Sequence, residues 1–182
     1  IIILKPTKMN IPNILSSLRL FSIIPFYIAS SNGLFITSFL IFSFASLTDF
    51  FDGYFARKFN QETEFGALID LLADKVLTTG VLIILVSSLD SFLLNVSAII
   101  IISRDLIISH LRIYIISKKQ NINEVKARMS GKVKTLILMF SLSFLILAPY
   151  NYYLSQIGTL LICLSALVSI FSLLSYIQIE KN

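Results

Sequence analysis

Six stretches of this chain are apolar over about the length a helix needs to cross a bilayer, roughly 20 residues, and only short polar segments part them. Residues 34–48, LFITSFLIFSFASLT, carry no charge at all. Each stretch reads as a membrane-crossing helix. Composition agrees: 56% of the 182 residues are hydrophobic and 14% charged, against about 25% charged in soluble domains. The mean hydropathy is +0.87. The expected fold is all-α, a polytopic membrane protein with six transmembrane helices and a short interfacial segment before the first. That leaves no length for a separate soluble domain, so residues 9–182 are expected to form one membrane domain. Residues 1–8, IIILKPTK, precede Met9 and are set aside as an upstream extension or expression remnant. No basic segment followed by a small-residue cleavage site is visible, so no removable signal peptide is expected.

The first crossing is expected over about residues 14–30, kinked by Pro25, with Asn13 or Ser16 suited to cap its start. Ser30, Ser31, Asn32 and Gly33 read as a tight turn. Further helices are expected over about residues 34–57, 65–88, 92–117, 132–149 and 155–178. Between them lie the polar loop KFNQETE at 58–64, a turn at Asp90, the basic loop KKQNINEVKARMSGK at 118–132, and Pro149 with the Tyr150-Asn151-Tyr152 turn. The one cysteine, Cys163, lies in an apolar run and reads as a small buried side chain.

The formal net charge is +5, but the basic residues keep to certain loops, which speaks for membrane topology rather than for nucleic-acid binding. Lys5 and Lys8, Arg57 and Lys58, Lys118, Lys119, Lys126 and Arg128, and Lys181 flank alternate ends of the helices. The opposite turns, near residues 31, 90 and 151, have neither lysine nor arginine. The positive-inside rule then sets both termini in the cytoplasm and gathers the charges of helices two to five at their cytoplasmic ends.

Among those charges are four aspartates in the stretch 49–74, DFFDGYFARKFNQETEFGALIDLLAD. An ionised carboxylate deep in a membrane costs roughly 2.5 kcal/mol or more unless it is paired. Four so close together call for a shared counter-charge, and a bound divalent cation supplies one. At 100° per residue Asp49 and Asp52 lie about 60° apart and Asp70 and Asp74 about 40° apart, so each pair occupies one face of its helix and a hairpin would let the pairs converge. Carboxylate oxygens suit Mg²⁺ or Mn²⁺, with Ca²⁺ as a look-alike; without a histidine–cysteine cluster zinc is disfavoured. Gly53 follows the first pair and Gly66 stands one turn before Asp70. A membrane-helix glycine is more often a packing residue, but beside the aspartates close approach of a ligand is the preferred reading. Arg57 is suited to bind phosphate or to snorkel at its helix end. Lys75 reads as a local counter-ion to Asp74.

A second set of charges follows. Arg104 and Arg112 differ by about 80° around one helix, so both can line one cavity. Lys132 and Lys134 follow Gly131 at an expected helix N-terminus, where the amide dipole also favours anions. The plainer reading is ion pairing, with Asp105 held by Arg112; an anion pocket is preferred. His110, the only histidine, reads as a cavity or packing residue rather than a catalyst.

The pattern Asp49-x-x-Asp52-Gly53-x-x-Ala56-Arg57, eight residues, Gly66-x-x-x-Asp70-x-x-x-Asp74 resembles the signature of the CDP-alcohol phosphatidyltransferase family, with every position filled. The segments NIPNILSSLR, SRDLIISHLR and GKVKT extend the resemblance to about residues 9–140, toward the bacterial branch whose acceptor is glycerol 3-phosphate. Ser16, Leu71, His110 and Ile113 depart from the pattern, outside the signature. The resemblance implies an enzyme of phospholipid biosynthesis in which the acceptor hydroxyl attacks the phosphorus attached to diacylglycerol in CDP-diacylglycerol and CMP leaves. It implies Asp49, Asp52, Asp70 and Asp74 as ligands of Mg²⁺ or Mn²⁺, two ions in number, with Asp74 as general base. It further implies Asn13, Ser16, Asp52, Gly53, Ala56, Arg57 and Gly66 at CDP-diacylglycerol, and Arg104, Arg112, Lys132 and Lys134 at the phosphate of glycerol 3-phosphate. A homodimer in the bacterial inner membrane, with the active site facing the cytoplasm and no nucleic-acid partner, completes the expectation.

Two other readings stand beside it. One keeps the fold and changes the acceptor to phosphatidylglycerol, inositol phosphate or serine; a phosphate-bearing acceptor accounts better for the basic cluster than serine does. The other is a divalent-cation transporter, which requires polar residues to continue across the membrane. Beyond Asp74 the third helix has only Thr78 and Thr79 as a polar break, which favours a one-sided pocket.

Overall fold

Pro25 has no N–H to give the carbonyl of Phe21 four residues earlier, and the first helical stretch is parted there. The computed structural model describes residues 11–58, 64–117 and 129–180, with side chains described over 14–48, 69–70, 72–110 and 133–174. Helix α1 (Ile11–Phe21) ends at the Phe21 carbonyl, and α2 (Ile23–Ser31) resumes after Ser22. The Ser22 N–H still reaches the carbonyls of Leu18 and Arg19, at 3.0 and 3.2 Å. The kink expected from Pro25 therefore falls one turn upstream of it, at the acceptor the proline leaves unserved. The expected turn after α2 is present. Leu34 N–H donates to the Ala29 carbonyl at 2.9 Å and Gly33 N–H to that of Ser30 at 3.0 Å, a Schellman pair around Gly33 at φ 72°.

Five long helices follow: α3 (Phe35–Lys58), α4 (Glu64–Ser88), α5 (Phe92–Ser117), α6 (Met129–Ile146) and α7 (Tyr152–Glu180). Ser91 Oγ accepts the Leu94 N–H at 3.5 Å near the start of α5. A 3-10 turn, Ala148–Tyr150, carries Pro149 between α6 and α7, and Asn151 Oδ1 accepts the Tyr153 N–H at 2.9 Å. Every one of these elements is helical.

The chain divides into two units, residues 1–85 and 86–182. In the first, α3 packs against both α1 and α2, and Phe26, Phe42, Ala45, Ala73, Leu77 and Val81 are buried. In the second, α7 packs against α5 and α6. Side-chain bonds give the directions: Ser97 and Arg104 of α5 meet Cys163 and Ser172 of α7 in parallel order. Lys134 and Ser141 of α6 meet Ser165 and Gly158 of α7 in antiparallel order.

Beside its apolar core the packing buries small polar residues and leaves large apolar ones exposed. Along α7 the buried seam holds Ser165, Ser169 and Ser172, while Leu160 and Phe171 are about 70% exposed. Small polar residues let helices approach closely and bond inside lipid, where exposed leucine carries no hydrophobic penalty. Residues Ile14–Ser31, Phe92–His110 and Tyr152–Leu174 are each long and apolar enough to cross a membrane, and Phe35–Thr48 and Val133–Ile146 are shorter apolar helices. Over its described residues this is an all-helical membrane protein.

Candidate active site

In the first unit the site begins with an arginine inside an apolar helix. Arg19 of α1 is 1% exposed, and its Nη1 donates to Asp70 Oδ1 of α4 at 3.0 Å. The two charges differ in access, because the Asp70 side chain is 46% exposed. Asp74 lies one turn further along α4 and is half-buried. Ser16, one turn before Arg19, is buried too. Thr78 and Thr79 turn their hydroxyls back onto the carbonyls of Asp74, at 2.8 Å, and Lys75 in their own helix.

Carboxylate oxygens on one face of α4 fit a hard divalent cation, and the exposure of Asp70 leaves it within reach of one. Asp49 and Asp52 lie in the helical backbone of α3, as do Gly53, Ala56 and Arg57, and Gly66 lies in that of α4. The side chains of these residues and of Asn13 fall outside the described set. Among the described side chains no three metal-ligating groups converge. Beside Arg19, a groove of about 500 Å³ runs between α1–α2 and α3, lined by Leu18, Phe21, Pro25, Leu40 and Phe44, with Thr48 as a further polar member.

The second unit holds a compact charge cluster. Lys134 of α6 is 1% exposed, and its Nζ donates to both oxygens of Asp105 of α5, at 2.7 and 2.6 Å. Arg104 Nη1 donates to Asp105 Oδ1 at 2.9 Å and Nη2 to Ser172 Oγ of α7 at 2.6 Å. The structure thus brings together two of the four expected anion-binding residues, with one carboxylate between them. Asp105 is held by Arg104 and Lys134, whereas the ion-pair reading of the sequence named Arg112. The side chains of Arg112 and Lys132 lie outside the described residues, and His110 is exposed. Helix α6 begins at Met129, so Lys132 lies in its first turn, where the dipole favours anions, and Lys134 stands in the next.

Three participants were missing from the sequence reading: Arg19, Asp105 as the centre of a triad, and Ser172. For Arg19 a signal was present, since an arginine in the middle of an apolar run demands a partner. For Ser172 there was none.

The family model for CDP-alcohol phosphatidyltransferases matches residues 9–171. The chain belongs to that family. Among its relatives in the CDP-alcohol phosphatidyltransferase family is the CDP-diacylglycerol–glycerol-3-phosphate 3-phosphatidyltransferase of Haemophilus influenzae, 37% identical over 179 residues, covering 96% of this chain and 95% of the relative. Proteins of the same name from Wigglesworthia glossinidia brevipalpis and Shigella flexneri are 38% identical over 176 residues and 33% identical over 178 residues. They cover 94% and 96% of this chain and 95% and 96% of their own lengths.

Proposed function

We propose that this chain is a CDP-diacylglycerol–glycerol-3-phosphate 3-phosphatidyltransferase. It transfers the phosphatidyl group of CDP-diacylglycerol to a hydroxyl of glycerol 3-phosphate, giving phosphatidylglycerophosphate and CMP. The observation that carries this reading is the near full-length similarity, 33–38% identical, to relatives bearing that name. A family signature alone leaves the acceptor open.

The residues divide the work. The acceptor hydroxyl oxygen forms a bond to the phosphorus that carries diacylglycerol, the bond from that phosphorus to the CMP oxygen breaks, and the hydroxyl proton passes to the carboxylate of Asp74. Asp49, Asp52, Asp70 and Asp74 hold Mg²⁺ or Mn²⁺, two ions, which when bound neutralise charge on the diphosphate and the leaving CMP. Gly53, Ala56 and Gly66 make room for the nucleotide, Arg57 binds phosphate, and Asn13, Ser16 and Asp52 complete the CDP-diacylglycerol site. Arg104, Arg112, Lys132 and Lys134 bind the phosphate of the acceptor. The apolar groove beside Arg19 suits a substrate that arrives from the lipid phase.

The chain acts as one catalytic domain over residues 9–182, with six crossings, both termini in the cytoplasm, and the site on the cytoplasmic side of the bacterial inner membrane, as a homodimer. The loop charges support that orientation, and the parallel and antiparallel order of α5, α6 and α7 agrees with successive crossings. The test supplies purified protein with CDP-diacylglycerol, Mg²⁺ and a panel of radiolabelled acceptors. CMP release with glycerol 3-phosphate is expected. Release with inositol phosphate, phosphatidylglycerol or serine, and none with glycerol 3-phosphate, would refute the acceptor assignment.

A further inference from the structure

Among the described residues, Arg19 and Lys134 are the two ionisable side chains wholly withdrawn from solvent. Lys134 spends its charge within the Asp105 cluster. Arg19 reaches from α1 to Asp70 of α4, where its Nη1 meets Oδ1 at 3.0 Å. The exposures of the pair are unequal, 1% for Arg19 and 46% for Asp70. An enclosed guanidinium has little freedom to move. The carboxylate is thus tethered by one oxygen to a fixed donor, and nearly half of the aspartate side chain stays exposed.

From this geometry we infer that Arg19 is a positioning residue of the cation site. It fixes the rotamer of Asp70, occupies Oδ1, and leaves Oδ2 to face a hard divalent cation. The inference rests on the proposed role of Asp70 as a cation ligand. Carboxylate ligands are commonly oriented by an outer hydrogen-bond donor, and losing that donor costs about 10- to 100-fold in metal affinity. A guanidinium also repels a nearby cation. If Arg19 were only a counter-ion, removing it would tighten cation binding; if it positions Asp70, removing it weakens binding. The sign of the change separates the two roles.

The experiment titrates Mn²⁺ alone into the detergent-purified full chain and reads free Mn²⁺ by electron paramagnetic resonance, with the thermal midpoint reporting folding. Wild type is compared with Arg19→Gln, Arg19→Lys, Asp70→Asn and the Arg19→Gln/Asp70→Asn double variant. The expected result is a rise in Kd of about tenfold or more for Arg19→Gln and a smaller rise for Arg19→Lys. The double variant should bind no more weakly than Asp70→Asn alone, because Arg19 acts through Asp70. A folded Arg19→Gln protein with an unchanged or lower Kd overturns the inference. Should that variant not fold, Arg19→Lys, which keeps the buried charge, carries the comparison, and an unchanged Kd there overturns it equally. Wild-type protein that binds no Mn²⁺ overturns the cation site as well, an outcome distinct from an indifferent Arg19 variant.

Discussion

Lys134 brings its ammonium to 2.7 Å from Oδ1 and 2.6 Å from Oδ2 of Asp105, with the lysine side chain 1% and the aspartate 19% exposed. Through Arg104, which bonds the same carboxylate and Ser172, this pair joins α5, α6 and α7. Withdrawing an ammonium from water costs several kcal/mol, and only a close partner offsets that cost.

The consequence is an asymmetry between the two ends of the pair. Removing one partner of a buried ion pair typically costs about 3–5 kcal/mol, whereas an apolar side chain of similar volume in place of a buried charge is far better tolerated. Asp105→Ala, which leaves Lys134 enclosed without its carboxylate, is therefore expected to lower the thermal midpoint in detergent well below that of Lys134→Met, in which Asp105 keeps Arg104. Equal midpoints would mean that the carboxylate is not what holds the lysine in place.

Helix approach at glycine gives a second comparison. A Cβ at Gly158 would stand 2.7 Å from Leu145 Cγ and 3.1 Å from the Leu145 backbone nitrogen, whereas at Gly80 it would meet the outer atoms of the Ile23 side chain at 2.7 and 2.9 Å. A backbone cannot yield as a side-chain end can. Gly158→Ala is expected to cost about 1–3 kcal/mol and Gly80→Ala less, read as the difference between their thermal midpoints. The reverse order would place the tight contact elsewhere.

Much of the helix pattern was legible because its punctuation is local. Gly33 adopts a positive φ in the tight turn read at 30–33, Ser91 bonds the start of α5 just after the turn read at Asp90, and Pro149 sits in the 3-10 turn before α7. The effect of Pro25 was legible too: a proline withholds a donor from a carbonyl four residues upstream, and the helix parts at Ser22. Long-range partners were the part hidden in the chain. Nothing near Arg19 names Asp70, 51 residues away, and Asp105 has arginines nearer in sequence than the lysine 29 residues on that takes both its oxygens. The start of α6 at Met129 was masked by the basic loop that runs into it.

Asp74 bears the proton-accepting role in the proposed reaction, and its replacement separates chemistry from binding. Asn keeps an oxygen donor and the size of the side chain but cannot take the proton. Asp74→Asn is expected to lower kcat by about 10²- to 10⁴-fold while CDP-diacylglycerol binding, measured by titration, is largely kept. Near wild-type turnover would remove the general-base assignment.

Arg112 tests the acceptor half of the site independently. An arginine that meets the phosphate of glycerol 3-phosphate contributes charge-assisted bonds to that substrate alone. Arg112→Ala is expected to raise KM for glycerol 3-phosphate about tenfold or more, as the loss of such a bond implies, and to leave KM for CDP-diacylglycerol nearly unchanged. The opposite pattern would reassign Arg112 to the nucleotide side.

The most direct test of the central claim is the identity of the lipid product. Purified protein in proteoliposomes is given CDP-diacylglycerol, Mg²⁺ and ¹³C-labelled glycerol 3-phosphate, and the lipids are read by mass spectrometry. The account predicts phosphatidylglycerophosphate carrying the ¹³C label, formed in equal amount to CMP and absent when Mg²⁺ is chelated. CMP formed without labelled lipid, or a labelled lipid formed equally well in chelator, would contradict it.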